Sequence, residues 1–123
     1  MKVILDEKPI DKGIETKILV YESENRELIG FVELSLRKNL EEFDTSPIGY
    51  LEGWYVQQDY RQKGIGRELV KEAEKWAVEK GCTEMASDVE KHNEISKEAH
   101  KKLDFIEYGV NDVEILFRKL IKV

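Results

Sequence analysis

The sequence is short of cysteine, histidine, basic charge and long apolar runs, and each shortage removes a class of protein. The one cysteine, Cys82, cannot make an internal disulfide. With only His92 and His100 beside it, no structural zinc set is available. No apolar run approaches the roughly 18 residues that span a bilayer; Ile18–Tyr21 and Leu28–Val32 are typical of what exists. The opening residues, Met1 to Glu7, lack the apolar stretch of a secretory signal. Basic residues are outnumbered, 20 Lys plus Arg against 26 Asp plus Glu, for a net charge of −6. Nucleic-acid binders carry the opposite signature, a basic patch or stripe. The expectation is a cytoplasmic protein with neither a nucleic acid nor a membrane as partner, and with no metal.

What is present suffices for one core. Hydrophobic residues make up 41% of the chain and aromatics are spread along it, which argues against disorder despite 37% charged residues. A length of 123 residues fits a single domain. We read 1–123 as one unit, with a variable segment over 1–15 and the core over 16–123.

Thr16–Glu22 and Glu27–Leu36 are rich in β-favouring residues and flank a polar turn, which predicts an antiparallel hairpin. Arg37–Pro47 reads as a loop, and Gly49–Val56 as a third strand. Gly53 inside that strand suggests a bulge or a close backbone approach. Ile65, Leu69, Val70, Ala73, Trp76 and Ala77 form the apolar stripe of a helix that stops at Gly81. Cys82–Asp88 is strand-like, and Asn93 is placed to cap a second helix with Ile95, Ala99 and Leu103 facing inward. Phe105–Tyr108 and Val113–Lys119 complete the order β-β-β-α-β-α-β-β. This is an α/β (α+β) pattern, a mixed sheet with helices packed on it.

The segment that carries chemistry is Arg61-Gln62-Lys63-Gly64-Ile65-Gly66, between a strand and the first helix. Glycines let a ligand approach the backbone, and a helix N-terminus offers free N–H groups and partial positive charge. Arg61, Lys63 and Arg67 add full positive charges, a combination suited to a phosphate or pyrophosphate. A P-loop needs Gly-Lys-Ser/Thr, which is absent, and a dinucleotide fingerprint needs a third glycine where this chain has Leu69. On its own, such a Gly-x-Gly reads as a tight, solvated turn before a surface helix.

The flanks of this loop resemble the Gcn5-related N-acetyltransferase (GNAT) superfamily. Its hallmark, Arg/Gln-x-x-Gly-x-Gly/Ala, is met by Arg61, Gly64 and Gly66. A second family feature, an Asn followed by a small residue, an aromatic and Leu-Gly-Phe, is matched by Asn93, Ser96, His100 and Leu103-Asp104-Phe105. The stretches Ser46–Val56 and Ala86–Glu90, the Ala99-His100 pair and Phe117-Arg118-Lys119 are similar to aminoglycoside 6′-N-acetyltransferases. The resemblance extends from about Leu28 to Lys119.

The resemblance implies a GNAT fold, acetyl-CoA as the acetyl donor, and direct attack by the 6′-amino group of an aminoglycoside in a ternary complex. It implies that the backbone of Trp54, Tyr55 and Val56 meets the pantetheine arm. The loop amides and side chains of Arg61, Gln62, Lys63, Gly64, Ile65, Gly66 and Arg67 would meet the pyrophosphate, with Asn93 a further cofactor contact. Amine acetylation needs a deprotonated nitrogen, so a general base is required. Glu52 is the first candidate, both as base and as acceptor contact; a glutamate on the solvated side of the sheet is the alternative. A bulge near Gly53 would change its sidedness. The resemblance puts Asp88 in the acceptor site, and Glu90, two residues on, shares its face or is simply solvated. His100 stands where many family members have a tyrosine as general acid, with a packing role as the alternative. Trp54 also suits a core position, Asn93 a helix cap, Trp76 the core, Cys82 a small buried apolar site, and His92 the surface.

Two departures stand out. Asp104 replaces the usual glycine, which Asp tolerates better than most residues if φ is positive. Only 15 residues precede Thr16, so the family's first strand and first two helices are expected to be lacking. Val3-Ile4-Leu5 is a candidate replacement for the edge strand, and nothing replaces the helices. The uncovered face predicts a homodimer. Cofactor binding is expected to survive better than aminoglycoside selectivity. The other functions left open are acetylation of another cationic amine, a polyamine or lysine, and a truncated CoA-binding module with weak or no activity.

Overall fold

The computed structural model describes residues 2–10 and 14–121, with side chains from Glu15 onward. One sheet of seven strands has the order β1-β2-β3-β4-β5-β7-β6. Strands β1 (Lys2–Ile10), β2 (Ile14–Glu22), β3 (Leu28–Arg37) and β4 (Ile48–Val56) form an antiparallel meander. β5 (Glu84–Glu90) joins β4 in parallel, and β7 (Glu114–Leu120) and β6 (Ile106–Val110) follow antiparallel. An edge strand is therefore present: Val3, Ile4 and Leu5 lie in β1, in register with β2 from Lys2↔Glu22 to Ile10↔Ile14. Among the described residues no helix separates these two strands. No helix of the described residues is long and apolar enough to cross a membrane.

Helix α1 (Ile65–Glu79) buries Ile65, Leu69, Val70, Ala73, Trp76 and Ala77, the whole of the predicted stripe. Ile65, Leu69 and Val70 each contribute about 1.5–3 kcal/mol on full burial. Gly81 has φ 89°, a left-handed turn that ends the helix. Helix α2 (Glu94–Lys102) departs from its predicted face. Ile95 is 72% exposed, and the inward positions are Ser96, His100 and Leu103, spaced four and three apart. A buried imidazole takes the place that periodicity assigned to an isoleucine, because its ring nitrogens find partners inside.

Both helices lie on one face of the sheet. The buried residues of α1, with Leu103 at the end of α2, join Leu19, Val32, Leu34, Leu51, Met85 and Phe117 in a single cluster. The opposite face carries a smaller cluster of Phe43, Ile48, Tyr50 and Ala86, closed over by Leu40 and Tyr108. Leu40 and Phe43 belong to the connection between β3 and β4.

Two irregularities in β4 create the opening in the sheet. Its register with β3 passes from Leu34↔Leu51 to Glu33↔Gly53, so Glu52 is an extra, bulged residue. Gly49 and Leu51 face the helices before the bulge, and Trp54 and Val56 face them after it. In a regular strand residues 51 and 54 would lie on opposite sides. The second irregularity is that β4 and β5 pair only over Gly49↔Met85, Tyr50↔Ala86 and Leu51↔Ser87. Beyond Leu51 and Ser87 the two strands part, and each continues alone on that side.

Candidate active site

The wedge between the parted strands has a helix-side lining and an open-side lining. On the helix side, Trp54 packs edge-on against His100, with centroids 5.1 Å apart. Its indole Nε1 is buried without a hydrogen-bond partner. Gly66, in the first turn of α1, lies under the same indole: a Cβ there would stand 3.1 Å from Cζ2, tighter than ordinary contact. The second glycine of the loop is thus needed for close approach. Gly64 has φ 85° and occupies the N-cap, where no side chain caps the first N–H groups of α1. Gln62, with φ 63°, is also left-handed.

Arg61 is tied to the end of β4, its Nε donating to the Val56 carbonyl at 2.8 Å. Lys63 lies 5.6 Å over the Tyr60 ring. Arg61, Gln62, Lys63, Gly64 and Arg67 are exposed, and Ile65 is buried. The loop thus presents unpaired backbone donors and three cations to solvent beside the unpaired edge of β4. Asn93 caps α2, its Oδ1 accepting from Ser96 N at 3.0 Å, so the cap reading of Asn93 holds in the structure.

His100 is 3% exposed. Its Nδ1 donates to the Ser96 carbonyl at 2.7 Å, and its Nε2 is 2.9 Å from Ser87 Oγ. Burial lowers its pKa from the usual 6.5, outweighing the Ser96 carbonyl and Asp88. With Nδ1 carrying the proton, Nε2 is the ring's acceptor, and the single Ser87 hydroxyl proton is shared between Nε2 and the Leu51 carbonyl, to which Ser87 donates at 3.2 Å. The imidazole stacks on Phe117 at 5.1 Å and meets Phe105 edge-on at 5.2 Å. A ring so engaged, with its one N–H given to Ser96, favours the packing role over proton donation.

On the open side, Glu52 has a side chain 31% exposed. Three donors reach it: Ser35 Oγ at 2.5 Å and Arg37 Nε at 3.0 Å to Oε2, and Arg37 Nη2 at 2.7 Å to Oε1. The Arg37 guanidinium lies 3.5 Å over the Tyr50 ring. The Tyr50 hydroxyl donates to Asp88 Oδ2 at 2.5 Å. Burial, then this bond to Asp88, pushes the Tyr50 phenol well above its usual range, so it remains a donor. Glu114 is raised from the usual carboxyl value chiefly by a hydrogen bond to Asp88. Glu90 is exposed and pairs in register with Glu114.

The structure therefore links Glu52 to Asp88 through Arg37 and Tyr50, with Glu90 exposed two residues beyond Asp88. His92 is exposed, and Trp76 is a core residue. Cys82 is 1% exposed, and burial pushes its thiol up to about 11. Asp104 has φ 70°, a left-handed conformation that Asp tolerates better than most residues. Sequence reading missed Ser35, Arg37, Ser87 and Glu114. Ser35 and Arg37 alternate with Leu34 and Leu36, a period-2 polar signal that the assignment of Arg37 to a loop obscured.

Comparison with known proteins fits this geometry. A model of the acetyltransferase (GNAT) family matches residues 5–105. Aminoglycoside N(6′)-acetyltransferase type 1 of Klebsiella aerogenes is 43% identical over 90 residues, covering 73% of this chain and 59% of that protein. The chain thus spans less than two thirds of this relative's length. Aminoglycoside N-acetyltransferase AAC(6′)-Iy in complex with CoA superposes with a TM-score of 0.74 at 33% identity, covering 78% of this chain and 72% of that one. The same enzyme with the bisubstrate analogue CoA-S-monomethyl-acetylneamine gives 0.69 at 33% identity, over 80% of this chain and 65% of that one.

Proposed function

This chain belongs to the acetyltransferase (GNAT) family, and we propose that it transfers acetyl from acetyl-CoA to the 6′-amino group of an aminoglycoside. The observation that carries this reading is the parting of β4 and β5 beyond Leu51 and Ser87, with Glu52 bulged out beside it. The residues present suit the donor. The backbone of Trp54, Tyr55 and Val56 runs along the stretch of β4 that β5 leaves unpaired. The uncapped start of α1, with Arg61, Lys63 and Arg67, suits a pyrophosphate. When bound, acetyl-CoA supplies an acetyl group activated as a thioester. Glu52 and Asp88 attract and orient a cationic acceptor, and Glu52 takes the proton that its ammonium must lose. Glu90 and Glu114 add negative charge at the rim.

A second reading keeps the chemistry and gives it another cationic amine, a polyamine or a lysine. It is favoured by the acceptor side being lined by carboxylates, which recognise charge more than shape. Thiol release should be measured with kanamycin-like compounds carrying or lacking the 6′-amine, with polyamines and with lysine peptides. Turnover only with the 6′-amino compounds is the expected result. Turnover confined to the other amines moves the acceptor to the second reading, and CoA binding without turnover on any amine removes the enzyme reading.

We also propose a cytoplasmic homodimer. Ile18, Val20, Phe31 and Tyr55 share the helix-free face by register, and Tyr55 is 43% exposed. A second copy of the chain over this face would remove that apolar surface from water. Light scattering should give twice the 14.4 kDa chain mass; a monomer at high concentration rejects the dimer.

A further inference from the structure

The carboxylate that the proposed reaction relies on is not free in the structure, and the groups that hold it define how it is presented. A carboxylate offers about four lone-pair sites. On Glu52 three are taken, two at Oε2 by Ser35 Oγ and Arg37 Nε and one at Oε1 by Arg37 Nη2. The remaining site is on Oε1. The guanidinium is itself fixed from behind, flat on Tyr50 at 3.5 Å, and Tyr50 is anchored to Asp88. A bulged residue on a strand needs such bracing, because β3 supplies it no partner in the ladder. Arg37 and Ser35 come from that same strand, opposite Ile48 and Tyr50.

We infer that Arg37 is a positioning residue of acyl transfer, turning Glu52 so that Oε1 alone meets the acceptor's amine and locking it to the Tyr50–Asp88 pair. The inference rests on the role of Glu52 proposed above. It extends that role to a group that touches neither acceptor nor donor. The fork is essential to it: a lysine ammonium is a point charge and cannot hold both oxygens in one plane.

The experiment compares Arg37→Ala and Arg37→Lys in the full chain, with acceptor and acetyl-CoA varied separately. Arg37→Ala should lower kcat/KM for the amine between about 10- and 100-fold, the scale of a small misplacement of a reacting group. The KM for acetyl-CoA should not move. Arg37→Lys should recover little, whereas millimolar guanidinium ion should restore activity to Arg37→Ala and leave the parent protein unaffected. A merely structural role predicts no rescue by guanidinium and a loss shared by both substrates. Either that pattern or unchanged amine kinetics in Arg37→Ala overturns the inference. Should Arg37→Ala fail to fold, Arg37→Lys carries the test alone: parental kinetics in a folded Lys variant overturn it. If Glu52→Gln is itself fully active, the proposed function fails first. If Glu52→Gln is impaired and Arg37→Ala is not, only the positioning role of Arg37 fails.

Discussion

Replacing Glu52 by Gln should lower kcat/KM for the amine by about 100-fold or more, the lower range for removing a general base, with acetyl-CoA affinity nearly unchanged. Gln keeps the shape and the acceptor oxygen but removes the charge and the capacity to take a proton. The groups assigned to acetyl-CoA lie elsewhere, along the unpaired part of β4 from Trp54 onward and on the loop before α1. Only the acceptor half of the site should therefore respond. The wedge geometry should also survive, because the bulge is a backbone feature held by the ladder on both sides, Leu34↔Leu51 before it and Glu33↔Gly53 after it. The measurement is thiol release with each substrate varied in turn, beside direct CoA binding. A collapse of CoA affinity in this variant would show that Glu52 shapes the donor half, and its assignment here would be withdrawn.

The second large effect is on stability. Arg118 donates to Glu84 Oε2 from Nη2 at 2.6 Å and from Nε at 3.1 Å, and Thr45 lies 3.3 Å from Oε1. The Glu84 side chain is only 6% exposed. Arg118→Leu leaves that carboxylate buried without its cation, a change that typically costs about 3–5 kcal/mol. The guanidinium also lies 4.4 Å over Phe43 and 5.6 Å from Tyr108. Its loss therefore loosens the β3–β4 connection over the open face as well. Urea unfolding should show a midpoint well below that of the parent. The double variant Glu84→Leu with Arg118→Leu should regain most of the loss, since removing both charges leaves none stranded. A single variant within about 0.5 kcal/mol of the parent, the usual range for surface changes, would mean that water reaches Glu84 far more freely than its burial implies.

The two readings of Trp54 illustrate what a one-dimensional pattern leaves open. It was legible both as a core aromatic and as part of the donor site, and the structure packs its indole against the core. It packs on His100 and borders Gly66, and its backbone lies past the end of the β4–β5 ladder. His100 shows the opposite case. The motif match left an acid or a packing role open, and the ring is buried with both nitrogens in hydrogen-bonding contact, a result that depends on Ser87 arriving from a different strand.

Features carried by short stretches of chain were readable in advance: the full buried stripe of α1, the glycine turn before it, the Asn93 cap and the order of strands after the first hairpin. Each depends on periodicity, φ preference or capping within a few residues, and so is written locally. The edge strand β1 was legible only as the apolar triplet Val3-Ile4-Leu5. The inward face of α2, the placement of both helices on one side and the Ser35–Glu52–Arg37–Tyr50–Asp88 chain were not legible. They arise from register between β3, β4 and β5, including the single extra residue at Glu52. A shift of one residue in such a ladder changes which face a side chain occupies. Long-range pairing therefore decides whether a carboxylate becomes a site, and no neighbouring residue in sequence records that choice.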